Sequence, residues 1–221
     1  MKIVIINGSP RANGFTAAIL RGIKKELLSK GAQVSYYDLG KLSLAQCRGC
    51  CACYRTGRCH IDDDAEMISD AISKADGLVF GTPTYASNVS GLMKVLIDRG
   101  HFVIEQLLKG RYCVTVATGE NYGSSDAGKV LDKLVLYSGG RLADRIVVNA
   151  PFNSVTTEGR SGIAERYGAR AAEKLFKAIG ERKVYPLQAV FHKIIFNAGI
   201  KPFVHKKGDS YKGVIEKWQA G

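Results

Sequence analysis

The sequence predicts an α/β protein built on a five-stranded, doubly wound parallel sheet. Short, almost unbroken apolar runs recur at residues 3–6, 34–37, 78–80, 112–117 and 145–149. Stretches of helical periodicity lie between them, and small polar residues and glycines follow the first, third and fourth runs. Strands covered on both faces read as continuous apolar runs, and their alternation with helices supplies those covers.

The elements follow in order. After strand 3–6, residues 16–29 place Ile19, Leu20, Ile23, Leu27 and Leu28 on one face, with Lys24, Lys25 and Lys30 off it; Gly31 is the stop signal. Strand 34–37 precedes a cysteine-rich segment at 47–59 and a helix at 65–74. Strand 78–80 leads through a polar loop to a helix at 91–108, and strand 112–117 to a helix at 123–137. Strand 145–149 and a helix at 162–178 complete the rhythm. Right-handed crossovers give the strand order 2-1-3-4-5, with a ligand outside the carboxyl ends of the strands near the switch between the first and third.

A chain of 221 residues with 46% hydrophobic composition buries one large core. We expect a main domain over 1–180, with the cysteine insert at 47–59, and a basic, aromatic C-terminal extension over 181–221. That extension holds Tyr185, Phe191, Phe196, Phe203, Tyr211 and Trp218 among many lysines. It is expected to pack on the domain or on a partner subunit; a membrane-surface anchor is the weaker alternative. The first apolar run is too short for a signal peptide or a membrane span, and the expected location is cytoplasmic.

The net charge of +12 is concentrated late: residues 151–221 carry 13 Lys/Arg against 6 Asp/Glu. No aromatic-interleaved basic ladder accompanies it, which argues against nucleic acid. A solvated basic face, or attraction of phosphate-bearing ligands, accounts for the excess.

The loop after the first strand runs Asn7-Gly8-Ser9-Pro10-Arg11-Ala12-Asn13-Gly14-Phe15-Thr16. Backbone N–H groups and a helix N-terminus directed at one point make an anion site, to which Ser9, Asn13, Thr16 and Arg11 add donors. G-x-G-x-x-G and the Walker pattern are both absent, so a monophosphate fits better than a pyrophosphate or triphosphate. Alone, such a loop is also explained by turn chemistry. The loop after the third strand contains Pro83, Thr84, Tyr85, Ala86, Ser87, Asn88, Val89 and Ser90. It offers an aromatic face, backbone groups and an amide to a flat polar ring. Thr118, Gly119 and Tyr122 of the fourth strand's loop close the same edge.

With Met93-Lys94 and Ile97-Asp98-Arg99, these motifs resemble the NAD(P)H-dependent FMN reductase and iron-sulfur flavoprotein families of the flavodoxin-like superfamily, over residues 1 to about 178. The resemblance implies FMN, its phosphate held by Ser9, Arg11, Asn13, Gly14, Phe15 and Thr16. It places Pro83 to Ser90 at the isoalloxazine, and Thr118, Gly119 and Tyr122 as further contacts. For Asp98 and Arg99, flavin contact competes with an intrahelical or dimer-interface ion pair.

The spacing Cys47-x2-Cys50-x2-Cys53-x5-Cys59 allows thiolates from one short loop to converge on an iron-sulfur cluster, and ranks zinc lower. The resemblance implies a [4Fe-4S] cluster on these four residues. It also covers reductases whose cysteine-rich loop is structural or disulfide-bonded, and Cys51 could shift the ligand set. Cys113 reads as a core residue. Asp62-Asp63-Asp64 reads as helix capping rather than as a hard-metal site, and His60 and His101 receive no catalytic role.

The leading expectation is an FMN oxidoreductase accepting electrons from NAD(P)H or a protein donor and passing them to flavin, quinone or a similar acceptor. Alternatives are an iron-sulfur flavoprotein exchanging electrons with ferredoxin-like carriers and a non-catalytic flavin-binding module. A homodimer or homotetramer is expected.

Overall fold

The computed structural model describes residues 1–120, 122–149 and 158–220. Asn121, in the third of the predicted loops, lies outside the described residues. The five predicted strands are β1 (Lys2–Asn7), β2 (Gln33–Asp38), β3 (Gly77–Tyr85), β5 (Tyr112–Gly119) and β6 (Arg141–Asn149). All their pairings are parallel, in the order β2-β1-β3-β5-β6. A two-residue strand, β4 (Asn88–Val89), pairs antiparallel with the end of β3. Without it the order is the predicted 2-1-3-4-5.

β1 shows why the sheet is buried on both faces. Its side chains alternate, so Ile3 and Ile5 enter one hydrophobic cluster while Val4 and Ile6 enter another. The first cluster lies under α1 (Phe15–Ser29) and α7 (Glu158–Gly180). The second lies under α3 (Ala65–Ser73), α4 (Gly91–Arg99) and α6 (Ser124–Tyr137). Cys113 is fully buried in the second cluster, as expected of a core thiol.

Two of the differences from expectation bear on the sheet edge. The predicted helix 91–108 is broken: α4 ends at Arg99, His101 takes a left-handed φ of 47°, and a short α5 (Phe102–Glu105) follows. The break turns Phe102 inward, 2% exposed, edge-on to Phe80 with centroids 6.0 Å apart. Burial of that ring overrides helical periodicity. The predicted loop after residue 80 is largely hairpin: β3 continues to Tyr85, and Ala86 and Ser87 turn the chain at φ 48° and 57°.

After α7 come α8 (Pro186–Ile195), α9 (Lys201–Lys206) and α10 (Lys212–Ala220). Gln188 of α8 accepts from Leu142 N at 2.8 Å and donates to Leu142 O at 3.0 Å, satisfying part of the edge strand β6. α10 lies on α2 (Ala52–Thr56), within the cysteine segment, where Tyr54 and Tyr211 stack at 4.6 Å. A Cβ on Gly213 would strike the backbone of Thr56 and Gly57, so glycine permits this approach. The extension therefore packs on the α2 part of the cysteine segment and leaves Cys47, Cys50 and Cys51 exposed.

A second close approach sets the spacing of α1 and α7. A Cβ on Gly168 would come within 2.8 Å of the backbone at Gly22 and Ile23. Gly168→Ala is expected to destabilise the protein by about 1–3 kcal/mol through forced separation of the helices, exceeding the gain in helix propensity; urea unfolding at equilibrium checks this.

Candidate functional site

The loops after β1, β3 and β5 meet at one edge of the sheet because the strands are parallel and adjacent. Gly8 N donates to Gly81 O at 2.8 Å, and Ser90 Oγ donates to Gly8 O at 2.6 Å. Ser90 also accepts from Met93 N at 3.1 Å as the N-cap of α4, and its own N–H donates to Thr82 Oγ1 at 2.9 Å. The first and third loops meet where the hydroxyls of Thr16 and Thr118 lie 2.6 Å apart. Gly123, at φ 87°, sits against Ser87 too closely for any side chain.

Within the first loop, Ser9 N donates to Asn7 Oδ1 at 3.0 Å and Arg11 N to Ser9 Oγ at 3.2 Å. Gly14 caps α1 in an extended conformation with no side-chain cap bond. The helix N-terminus thus presents its N–H groups without a side-chain acceptor of its own. Ser9 and Thr16 are buried, Arg11 and Asn13 exposed. Phe15 sends its ring into the core, so only its backbone can face a ligand.

In the second loop, Pro83 and Thr84 are half-buried, Tyr85 to Asn88 are exposed, and Val89 and Ser90 are buried. Asn88 Oδ1 accepts from Val89 N at 2.8 Å, a local turn contact. Thr84 Oγ1 is buried with no hydrogen-bond partner, and it lies 3.4 Å from where a Cβ on Gly119 would stand. Gly119 is half-buried and the Tyr122 side chain is 80% exposed. The structure thus gathers the predicted residues at one edge, while Val89 serves the core. Asn7 and Thr82 stand within the predicted loops, but the sequence assigned their side chains no role: Asn7 Oδ1 accepts from Ser9 N and Thr82 Oγ1 from Ser90 N.

The cysteine segment is fastened at its neck. Asp63 accepts from Ala45 N at 2.9 Å and from Ala65 N at 3.0 Å, and Asp64 Oδ2 accepts from Ser43 N at 2.7 Å. Arg99 donates to both carboxylate oxygens of Asp63, at 2.7 and 2.9 Å, and to Ala45 O at 2.7 Å. Asp64, the N-cap of α3, makes no side-chain cap bond, so the expected capping is replaced by a turn contact from Asp63 to Ala65 N, and the run's larger role is to join residues 43–45 to 63–65. Arg99 thus pairs outside its own helix, while Asp98 forms an intrahelical ion pair of the kind expected, with Lys94 at 2.5 and 2.7 Å.

Cys47, Cys50 and Cys51 are exposed, Cys59 is half-buried and Cys53 is buried; all are free thiols. Burial pushes the Cys53 thiol up to about 11, with further contributions from Glu105, Cys59 and Cys47 nearby. Cys50 Sγ lies 3.5 Å from His60 Nδ1. Among the described residues, no three His, Cys, Asp or Glu side chains are gathered closely enough to hold a metal ion.

Residues 1–153 match the model of the family described as NADPH-dependent FMN reductase. The chain is 37% identical to an iron-sulfur flavoprotein of Clostridioides difficile (strain 630), over 99% of this chain and 98% of that one. It is 31% identical to an iron-sulfur flavoprotein of Archaeoglobus fulgidus, over 71% of this chain and 77% of the relative. Among solved structures it resembles a flavone reductase, with a TM-score of 0.60 at 19% identity over 82% of this chain and 64% of that one. A flavodoxin from the domain Archaea gives 0.53 at 17% identity, over 80% and 99% of the two chains.

Burial raises the pKa of Asp63, but the Arg99 guanidinium and the amides of Ala45 and Ala65 outweigh it and hold the carboxyl below the usual range. Its contribution is therefore complete above the unfolded value of about 3.9 and is lost as pH falls through the lower folded value. Asp63→Asn is expected to flatten the acid limb of the stability-against-pH curve, as followed by denaturant unfolding at a series of pH values.

Proposed function

The chain belongs to the NADPH-dependent FMN reductase family, and from that premise we propose an oxidoreductase that takes electrons from a reduced nicotinamide nucleotide onto FMN. The flavin supplies the redox chemistry, accepting a hydride equivalent and releasing electrons to an acceptor. The protein's part is to bind, orient and shield it.

The observation that carries this reading is the buried, unpartnered Thr84 hydroxyl at the seam between the second and third loops. A buried hydroxyl without a partner is costly, and a polar ring edge laid against the seam would satisfy it. The α1 N-terminus, with Ser9 and Thr16, supplies the phosphate end, where Arg11 and Asn13 stand at the rim. Gly14 keeps that cradle open, since a Cβ there would crowd Arg11 and Ser9 Oγ. Tyr85 and Tyr122, both exposed, would cover a ring face. Pro83, Ala86, Ser87, Asn88, Val89, Ser90, Thr118 and Gly119 form the supporting wall.

Cys47, Cys50, Cys53 and Cys59 would hold a [4Fe-4S] cluster. The donor chemistry is that of such a cluster, four free thiols in one short segment, and binding it would require the segment to bring together thiols that now stand apart. Such a cluster favours a second reading, in which a protein carrier of the ferredoxin type is donor or acceptor. A reducing, cytoplasmic setting agrees with the free thiols. A second copy of the chain would cover the outer face of α8, where Leu187, Val190 and Ile194 are 86%, 57% and 59% exposed. Among the described residues no helix is long and apolar enough to cross a membrane.

Anaerobic titration of the FMN-loaded protein with NADPH and with NADH tests the donor. Bleaching of the flavin band is expected with at least one of them; no bleaching with either refutes nicotinamide dependence. Thr84→Val keeps the shape and removes the hydroxyl, and is expected to weaken FMN binding by about tenfold, a typical hydrogen-bond increment; fluorescence titration measures it.

A further inference from the structure

α4 carries a fastening at each end. Ser90, its N-cap, holds Gly8 of the first loop, and Arg99, its last residue, holds the cysteine segment. The Arg99 side chain is 1% exposed and that of Asp63 5%, which makes this the most deeply buried of the ion pairs described. Two parallel N–H···O bonds give the pair a fixed geometry, which a lysine cannot reproduce. Because the same guanidinium also holds Ala45 O, it joins the entry and exit of segment 45–63 at one point. The remaining donor, Nε, is buried without a hydrogen-bond partner. The Cys59 thiol lies close enough to act on the guanidinium electrostatically. Burial within a single chain removes Arg99 from any subunit interface, and its engagement by Asp63 and Ala45 removes it from the flavin loops.

We propose that Arg99 is a positioning residue for the cysteine segment: it holds the neck at Ala45 and Asp63 shut and keeps Cys53 and Cys59 on the inner side of the segment.

The test compares the FMN-loaded parent with Arg99→Gln and Arg99→Lys, reduced and without iron, and uses Gly168→Ala as a control destabilised at a distant site. Iodoacetamide alkylation is followed at each cysteine by mass spectrometry. Cys113, in the sheet core, reports global opening, while Cys47, Cys50 and Cys51 are exposed from the start. Cys53 and Cys59 are expected to react about tenfold faster in the Arg99 variants, with Cys113 unchanged and FMN retained, as local opening requires. Tryptic cleavage after Arg48, Arg55 and Arg58 should accelerate in parallel. Unchanged rates at Cys53 and Cys59, or a rise at Cys113 in step with them as in the control, overturn the proposal. Arg99→Lys keeps the charge and loses the fork, so it decides the matter if Arg99→Gln fails to fold.

Discussion

One short stitch organises the site: Gly8 donates its backbone N–H to Gly81 O and accepts from Ser90 Oγ. The first bond continues the β1–β3 pairing one residue past the sheet, so the first and second loops leave in a fixed relation. The second places the start of α4 against the first loop. Neither contact could form if Gly8 carried a side chain without displacement, because its Cβ would stand 3.0 Å from Met93 Cβ and 3.1 Å from Gly81 O. Glycine after the first strand is thus needed for close packing between loops as much as for exposing the backbone to an anion.

The turn at Ala86 and Ser87 adds a local cost. Two adjacent non-glycine residues hold left-handed backbone angles there, which twists the hairpin in the sense its strands require. Asparagine or glycine would do so with less strain. Such strain persists where the surroundings over-determine it, and here Gly123 packs directly on Ser87. The third loop thereby stabilises the shape of the second, so the two loops are mutually dependent.

Much of the fold was legible because its signals are local. Ile3 to Ile6 announce a buried strand in four residues, and the face formed by Ile19, Leu20, Ile23 and Leu27 announces α1. The loops were legible for the same reason: glycine and small polar residues follow each strand. The helix over 91–108 was misread because the determinant of its break, the pocket beside Phe80 that takes Phe102, is assembled from distant elements. The partnership of Arg99 with Asp63 was likewise hidden. An arginine on one helix and one aspartate of three, 36 residues apart in sequence, carry no pattern that names them as a pair. The acidic run looked like capping because it stands directly before a helix, yet its N-cap residue Asp64 makes no cap bond and Asp63 holds Ala65 N by a turn contact.

The neck at Ala45, Asp63 and Arg99 has an architectural meaning. A segment whose two ends meet at a single buried point makes little demand on the strand before it or the helix after it. The length and content of what lies between can change while the sheet keeps its register, since closing a longer loop costs little once its ends are pinned. Residues 45–63 thus form a cassette set into the β2–α3 connection. What that cassette carries can vary independently of the three loops at the sheet edge.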